Sequence, residues 1–253
     1  MLKLAFYGKG GIGKSTTVSN IALALAERGL KVVQIGCDPK ADSTSQLLHG
    51  EKVTPVLELI RRNSDIDIAA VGKVGDSGVI CVESGGPAPG VGCAGRGIIA
   101  ALETLEKKGA FKLWEPDVVL YDVLGDVVCG GFSMPMRNGY ADYVFILTSG
   151  ENMAVHAAAN IAMAVGNYSS RGYARLGGFI LNKRNVKNEV AKVEELAADF
   201  NTSIAGMLEW SETVQEAEEK KQCVLSAFPR SEMAASYRKL ADRIMEIAGG
   251  AKA

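Results

Sequence analysis

Short apolar runs alternate with stretches of helical periodicity along nearly the whole chain, the pattern produced by βαβ units around a parallel sheet. The runs are LKLAFY (2–7), KVVQIG (31–36), GVICVE (78–83), DVVLYD (117–122), YVFILT (143–148), LGGFIL (176–181) and SIAGML (203–208), each the length of a buried strand. Between the first two, Val18, Ile21, Ala22 and Leu25 recur at helical spacing and Gly29 stands where a C-terminal cap belongs, which predicts a helix starting at Lys14 and Ser15. Near the end, Tyr237, Leu240, Ala241, Ile244 and Met245 share one helical face. The charges around them are mixed in sign, so the face suits core packing rather than a membrane surface. No repeat or linker interrupts the alternation. The chain reads as one α/β domain over 1–253, a mostly parallel central sheet flanked by helices. The segment ESGGPAPGVGCAGRG (83–97) departs from the pattern, being too rich in glycine and proline for the interior of an element. Loops of that length in compact domains usually serve function.

Composition narrows the partners. With 253 residues and 47% hydrophobic content the chain can build a sizeable core. Lys+Arg total 28 against 29 Asp+Glu, and no basic stripe is evident, which argues against nucleic acid as a general partner. The N-terminus enters directly into LKLAFYGKGG without a charged leader or long apolar segment, so the expectation is a cytoplasmic protein that neither spans nor seeks a membrane. The five cysteines, at 37, 81, 93, 129 and 223, include no C-x-x-C pair, and their odd number in a reducing compartment argues against disulfides.

The stretch Gly8-Lys9-Gly10-Gly11-Ile12-Gly13-Lys14-Ser15-Thr16 admits two phosphate-binding readings. Gly8, Gly10 and Gly13 form the G-x-G-x-x-G of a dinucleotide fold, and Asp38 after the second strand would meet a ribose hydroxyl. Gly8, Gly13, Lys14 and Ser15 form a P-loop, in which backbone N–H groups wrap the phosphates, the lysine reaches the β/γ oxygens and the hydroxyl binds Mg²⁺. Only the second reading explains Lys14, Ser15 and the apolar strand ending in Asp122, the place from which a second Mg²⁺ contact comes. The fold class is therefore that of a P-loop NTPase. A nicotinamide-dependent dehydrogenase is the reading left behind.

Lys9 belongs to neither pattern. With KGGIGKS, the chain resembles the deviant Walker A ATPases, and the resemblance implies a lysine that crosses a dimer interface to stabilise charge on the partner's transferred phosphoryl group. Cys93 in GVGCAGRG and Cys129 in DVVCGGFSMP both sit beside glycines, which let backbone N–H groups approach a sulfur closely. Two cysteines cannot hold a four-cysteine cluster, but two copies of the chain meeting on a symmetry axis can. Cys37, which has the single neighbour Gly36, and Cys223 lack a glycine cradle, and Cys81 reads as a small buried hydrophobe within its strand.

Taken together, YGKGGIGKSTT, GCDPKADST, CVESGGPAPGVGCAGRG, YDVLGDVVCGGFSMP and LNKRN resemble the nitrogenase iron protein family, including its relatives that serve tetrapyrrole reductases. The resemblance implies a homodimer with one bridging [4Fe–4S] cluster on Cys93 and Cys129, MgATP or MgADP in each subunit, and docking onto a larger nitrogenase-like catalytic protein. It also implies an upstream ferredoxin- or flavodoxin-type donor. Lys14, Ser15 and Thr16 correspond to the phosphate and Mg²⁺ residues. Asp38 and Asp42 resemble the first switch, Asp38 beside the metal and attacking water and Asp42 in a structural part of the nucleotide site. Asp122 and Asp126 open the second, with Asp126 orienting the water. Arg96 resembles the residue that meets the catalytic partner, and Asn182 and Gln215 resemble adenine contacts. Glu209-Trp210-Ser211 departs from the Pro-Arg-Asp usual over the adenine in nitrogenase iron proteins, and the chain stops at AGGAKA without their longer C-terminal extension. The expected client is therefore a nitrogenase-like reductase as readily as nitrogenase itself. The competing class is a non-redox positioning ATPase of the partition or division type, which shares the P-loop and needs no cysteine pair.

Overall fold

The computed structural model describes residues 1–62, 66–86, 94–125, 132–137 and 139–249. Among them, strands β1 (Leu2–Gly8), β2 (Val32–Cys37), β3 (Lys73–Val74), β4 (Ile80–Glu83), β5 (Val118–Val123), β6 (Tyr143–Thr148), β7 (Arg175–Asn182) and β8 (Ile204–Leu208) form one sheet. Its order is β3-β4-β2-β5-β1-β6-β7-β8, and every pairing is parallel except β3 with β4. The helices are α1 (Lys14–Ala26), α2 (Val56–Arg62), α3 (Ala94–Lys107), α4 (Ala110–Trp114), α5 (Asn152–Ser169), α6 (Glu189–Asp199), α7 (Glu212–Glu219), α8 (Val224–Ala227) and α9 (Glu232–Ile247).

All seven expected strands are present. The eighth, β3, is two residues long and shows no periodicity of its own. Its place is set by antiparallel pairing of Lys73 with Cys81 and Val74 with Ile80. The strand expected over 78–83 starts at Ile80, because residues 76–78 make a 3-10 turn that ends at Gly78. The segment 83–97 is not loop throughout, since α3 begins at Ala94.

Successive side chains of a strand face opposite ways, and both faces here are covered. Leu4 and Phe6 of β1 pack with Val118 and Leu120 of β5 beneath α1 and α9, alongside Val18, Ile21, Leu25, Tyr237, Leu240 and Ile244. Ala5 and Tyr7 pack on the other side with Val119 and Tyr121, against Ile98 and Leu102 of α3 and Ile161 and Val165 of α5. That double covering explains why the strands read as near-continuous apolar runs. The closing helix α9 starts where Ser231 accepts a hydrogen bond from the Ala234 amide at 3.1 Å, a side-chain N-cap. Among the described residues no helix is long and apolar enough to cross a membrane.

Candidate nucleotide site at the carboxyl edge of the sheet

In open α/β sheets ligands gather at the carboxyl ends of the strands, and β1 lies between β5 and β6 at the middle of this edge. The chain leaves β1 at Gly8 and enters α1 at Lys14, so the N-terminus of a 13-residue helix points at the loop. Its free N–H groups and dipole favour an anion there. Gly13 caps α1 with φ +86, a left-handed conformation that a side chain resists, and an added Cβ would lie 2.7 Å from Asn182 Nδ2. Asn182, at the end of β7, donates to the Ile12 carbonyl at 2.8 Å, and Arg184 donates to the Gly11 carbonyl at 2.9 Å. These bonds shape the loop, while Gly10 and Gly11 face open space.

Lys14 and Asp122 form a buried ion pair, with Lys14 9% and Asp122 1% exposed. The other Asp122 oxygen accepts from Ser43 Oγ. Gln34, buried in β2, donates to the Ser43 carbonyl at 3.2 Å and to Ser19 Oγ at 3.1 Å, which ties the segment after Asp42 to α1. Glu83 closes this polar layer. Its Oε1 accepts from both the amide and the hydroxyl of Thr44 at 2.7 Å. Burial pushes the Glu83 carboxyl up to about 8, against the lowering effect of the Thr44 hydrogen bonds and with a further rise from Asp122 and Asp42.

Asp38 is half-buried and accepts from the Lys40 amide at 2.9 Å, while Asp42 is exposed. Lys9 is half-buried on the loop, and Ser15 and Thr16 are half-buried in the first turn of α1, where Thr16 Oγ1 donates to Glu218 at 3.2 Å. A cavity of about 260 Å³ opens beside the loop, lined by Gly11, Gly13, Thr16, Asn182, Trp210 and Gln215 among others. Asn182 and Gln215, 33 residues apart (215 − 182), thus face one cavity with the phosphate loop. Trp210 is 47% exposed there, and Glu209 pairs with Lys183 at 2.7 Å. Beyond Asp122, Gly125 abuts the loop so closely that an added Cβ would lie 1.9 Å from the Gly8 carbonyl oxygen and 2.9 Å from Lys9 Cα.

Arg96 is exposed in the first turn of α3. Asp126, Cys93 and Cys129 lie outside the described residues. The three described cysteines, Cys37, Cys81 and Cys223, are free and buried. Burial is the main cause of a raised thiol pKa in each: about 12 for Cys81, and higher for Cys37 and Cys223. Neither Glu83 nor Arg184 stood out in the sequence. Glu83 ends an apolar strand as Asp122 does, and that shared pattern was the available signal; Arg184 lies in the LNKRN motif, which marked the segment but not this side chain.

The fold is shared with cell-division ATPases. It superposes on the septum site-determining protein MinD of Pyrococcus horikoshii, solved with Mg-ADP, at TM-score 0.76 and 16% identity, covering 100% of this chain and 99% of that one. The cell division ATPase MinD of Pyrococcus furiosus gives TM-score 0.75 at 14% identity, covering 97% and 99%. In sequence the chain is similar to the nitrogenase iron protein of Methanospirillum hungatei, 49% identical over 97% of this chain and 88% of that one. Nitrogenase iron protein 2 of Methanothermobacter thermautotrophicus is also 49% identical, over 96% and 89%. The family of 4Fe-4S iron sulfur cluster binding proteins designated NifH/frxC matches residues 2–251. The chain belongs to that family, and in general terms is an ATP-dependent reductase whose cofactors are a [4Fe–4S] cluster and MgATP.

Proposed function

We propose that two copies of the chain, each a single deviant Walker A ATPase domain, form a homodimer with one bridging [4Fe–4S] cluster held by Cys93 and Cys129 of both copies. MgATP hydrolysis in the dimer is coupled to delivery of single electrons, drawn from a ferredoxin- or flavodoxin-type donor in the cytoplasm. The acceptor is the catalytic protein of a nitrogenase or nitrogenase-like system. The observation that carries this reading is the close approach of Gly125 to Gly8 and Lys9. It sets the strand end that leads to Cys129 directly against the phosphate loop.

The donor chemistry fits both cofactors. A cluster needs thiolates. Cys37, Cys81 and Cys223 are sealed in the core with raised thiol pKa values. That leaves Cys93 and Cys129, the pair implied by the family resemblance, and supports them as the ligands. For MgATP, the N-terminus of α1 faces the loop, Gly10 and Gly11 leave open space, and a neighbouring cavity beside Asn182 and Gln215 has room for the base. When bound, the cluster supplies one-electron storage and the nucleotide a cleavable phosphoanhydride.

The residues divide the work. With MgATP bound, Lys14 would leave Asp122 for the β/γ oxygens, and Ser15 and Asp122 would hold Mg²⁺. Lys9 reaches across the dimer to the partner's phosphates. Asp38 and Asp126 orient the attacking water, with Asp42 alongside. No strong base is required, because phosphoryl transfer depends mainly on positioning and charge stabilisation. Asp122 and Cys129 are seven residues apart (129 − 122), at most ~25 Å of extended chain, so only a short stretch of sequence links the phosphate site to Cys129. Driving such a dimer from almost fully open to almost fully closed takes ~5.5 kcal/mol of differential binding. Arg96, exposed on α3, meets the catalytic partner.

Anaerobic purification tests the reading. The expected dimer is coloured, holds about four irons and loses them in the Cys129→Ser variant. A colourless, iron-free dimer that still hydrolyses ATP would point to the positioning ATPases instead.

A further inference from the structure

Three adjacent parallel strands bring two acids to the same level of the sheet. Gly36 of β2 is the register partner of Glu83 in β4 and of Asp122 in β5. Registered neighbours point to one face, so the two carboxyl groups flank Gly36, their strands about 10 Å apart. The dipeptide Ser43-Thr44 lies across that gap, Ser43 Oγ on Asp122 and Thr44 N and Oγ1 on Glu83, both at 2.7 Å. Gly36 leaves the room for this: an added Cβ would stand 2.0 Å from Glu83 Oε2 and 2.7 Å from Ser43 Cβ. Glu83 is 1% exposed, and its Oε2 has no hydrogen-bond partner among the described residues. The residue after it is pinned as well, since the Ser84 amide and hydroxyl both donate to the Gly36 carbonyl at 2.8 Å.

A carboxyl buried to this degree, for two bonds to one residue, is a costly way to hold a loop. A short polar side chain at the surface would cap Thr44 at lower cost. What the buried acid adds is rigidity between two particular segments. One ends at Asp38–Thr44, where the nucleotide acts. The other runs on in sequence from β4 to Cys93, ten residues beyond Glu83 (93 − 83).

We propose that Glu83 is a positioning residue that transmits the nucleotide state from residues 38–44 to β4 and the segment bearing Cys93. It would act beside the Asp122–Cys129 connection, so that each cluster ligand has its own mechanical tie to the phosphate site. This inference rests on the nucleotide-driven reductase reading given above.

The test uses the cluster-loaded dimer and two readouts. The first is the rate at which bathophenanthroline disulfonate removes iron, with and without MgATP. The second is hydrogen exchange of residues 80–86 under the same two conditions. In the wild type MgATP alters both. In Glu83→Leu, which keeps the volume and removes the acceptor, MgATP binding measured by calorimetry stays near wild type while both responses are lost. Glu83→Gln keeps an acceptor for Thr44 and keeps the responses. A Glu83→Leu protein that responds like the wild type overturns the proposal, and so does a Glu83→Gln protein that fails as completely as Glu83→Leu. If Glu83→Leu does not fold, Thr44→Val removes one of the two bonds without touching the carboxyl. It is expected to weaken both responses, and a full wild-type response there overturns the proposal. A wild-type dimer without iron refutes the reductase reading instead, and the exchange measurement with MgATP then still decides the part played by Glu83.

Discussion

Replacing Glu83 with glutamine removes a buried titratable group while keeping shape and one acceptor. The native carboxyl titrates at about 8, chiefly because burial disfavours its charged form, against an ordinary 4.5 in an open chain. The sign follows from proton counts. As pH rises through 4.5 the unfolded chain releases this proton while the native state keeps it until about 8. In that window the native state binds more protons, so rising pH favours unfolding; outside it the group contributes no slope. At about 1.4 kcal/mol per pH unit, the wild type loses about 4 kcal/mol between pH 5 and pH 8 that Glu83→Gln does not lose. Urea unfolding of both proteins, prepared identically under argon at closely spaced pH values, measures the gap between them, and subtraction cancels every other titrating group. With a slope near 3 kcal/mol per molar urea, the two midpoints should separate by a further ~1 M across the window. Midpoints that move in parallel from pH 5 to pH 8 would show a carboxyl already ionised in the native state, and would refute the account of the layer between Thr44 and Asp122.

Lys14→Met should abolish MgATP binding by calorimetry and also destabilise the nucleotide-free protein by about 3–5 kcal/mol, because Asp122 is left as a buried charge with Ser43 as its remaining partner. An unchanged unfolding midpoint would mean the pair carries little of the fold. Gly125→Ala forces a methyl group against the Gly8 carbonyl, so partner-dependent ATP turnover and cluster reduction are expected to fall together. Loss of one with full retention of the other would break the proposed link between loop and cluster. Cys81→Ala and Cys223→Ala should keep full iron content, since both thiols are buried in the core; iron loss in either would reassign the ligands. Ser231→Ala removes the α9 cap and should cost about 1 kcal/mol in thermal unfolding without changing nucleotide affinity.

The strands, the helix that begins at Lys14 and the phosphate loop were all legible in the chain alone. Each is a contiguous pattern whose physics is local: runs of apolar side chains for strands covered on both faces, and glycines followed by lysine and serine for a loop that wraps phosphates. Asp122 was legible for the same reason, as an acid ending a buried strand. Cys93, Cys129 and Asp126 were singled out from their motifs and lie outside the described residues. The two-residue β3 was invisible because its place comes only from pairing with β4. The start of α3 at Ala94, inside a glycine-rich stretch, was equally hidden.

What the tertiary structure alone decided is who meets whom across long stretches of chain. Arg184 finds Gly11 across 173 positions, Asn182 finds Ile12 across 170, and Glu83 finds Thr44 across 39. By itself the sequence determined the parallel sheet and the chemistry of the phosphate loop, since period and spacing act between near neighbours. The buried polar layer of Lys14, Asp122, Ser43, Thr44 and Glu83 came from strand order and register, which set β4, β2 and β5 side by side and leave only a glycine-sized gap between two acids.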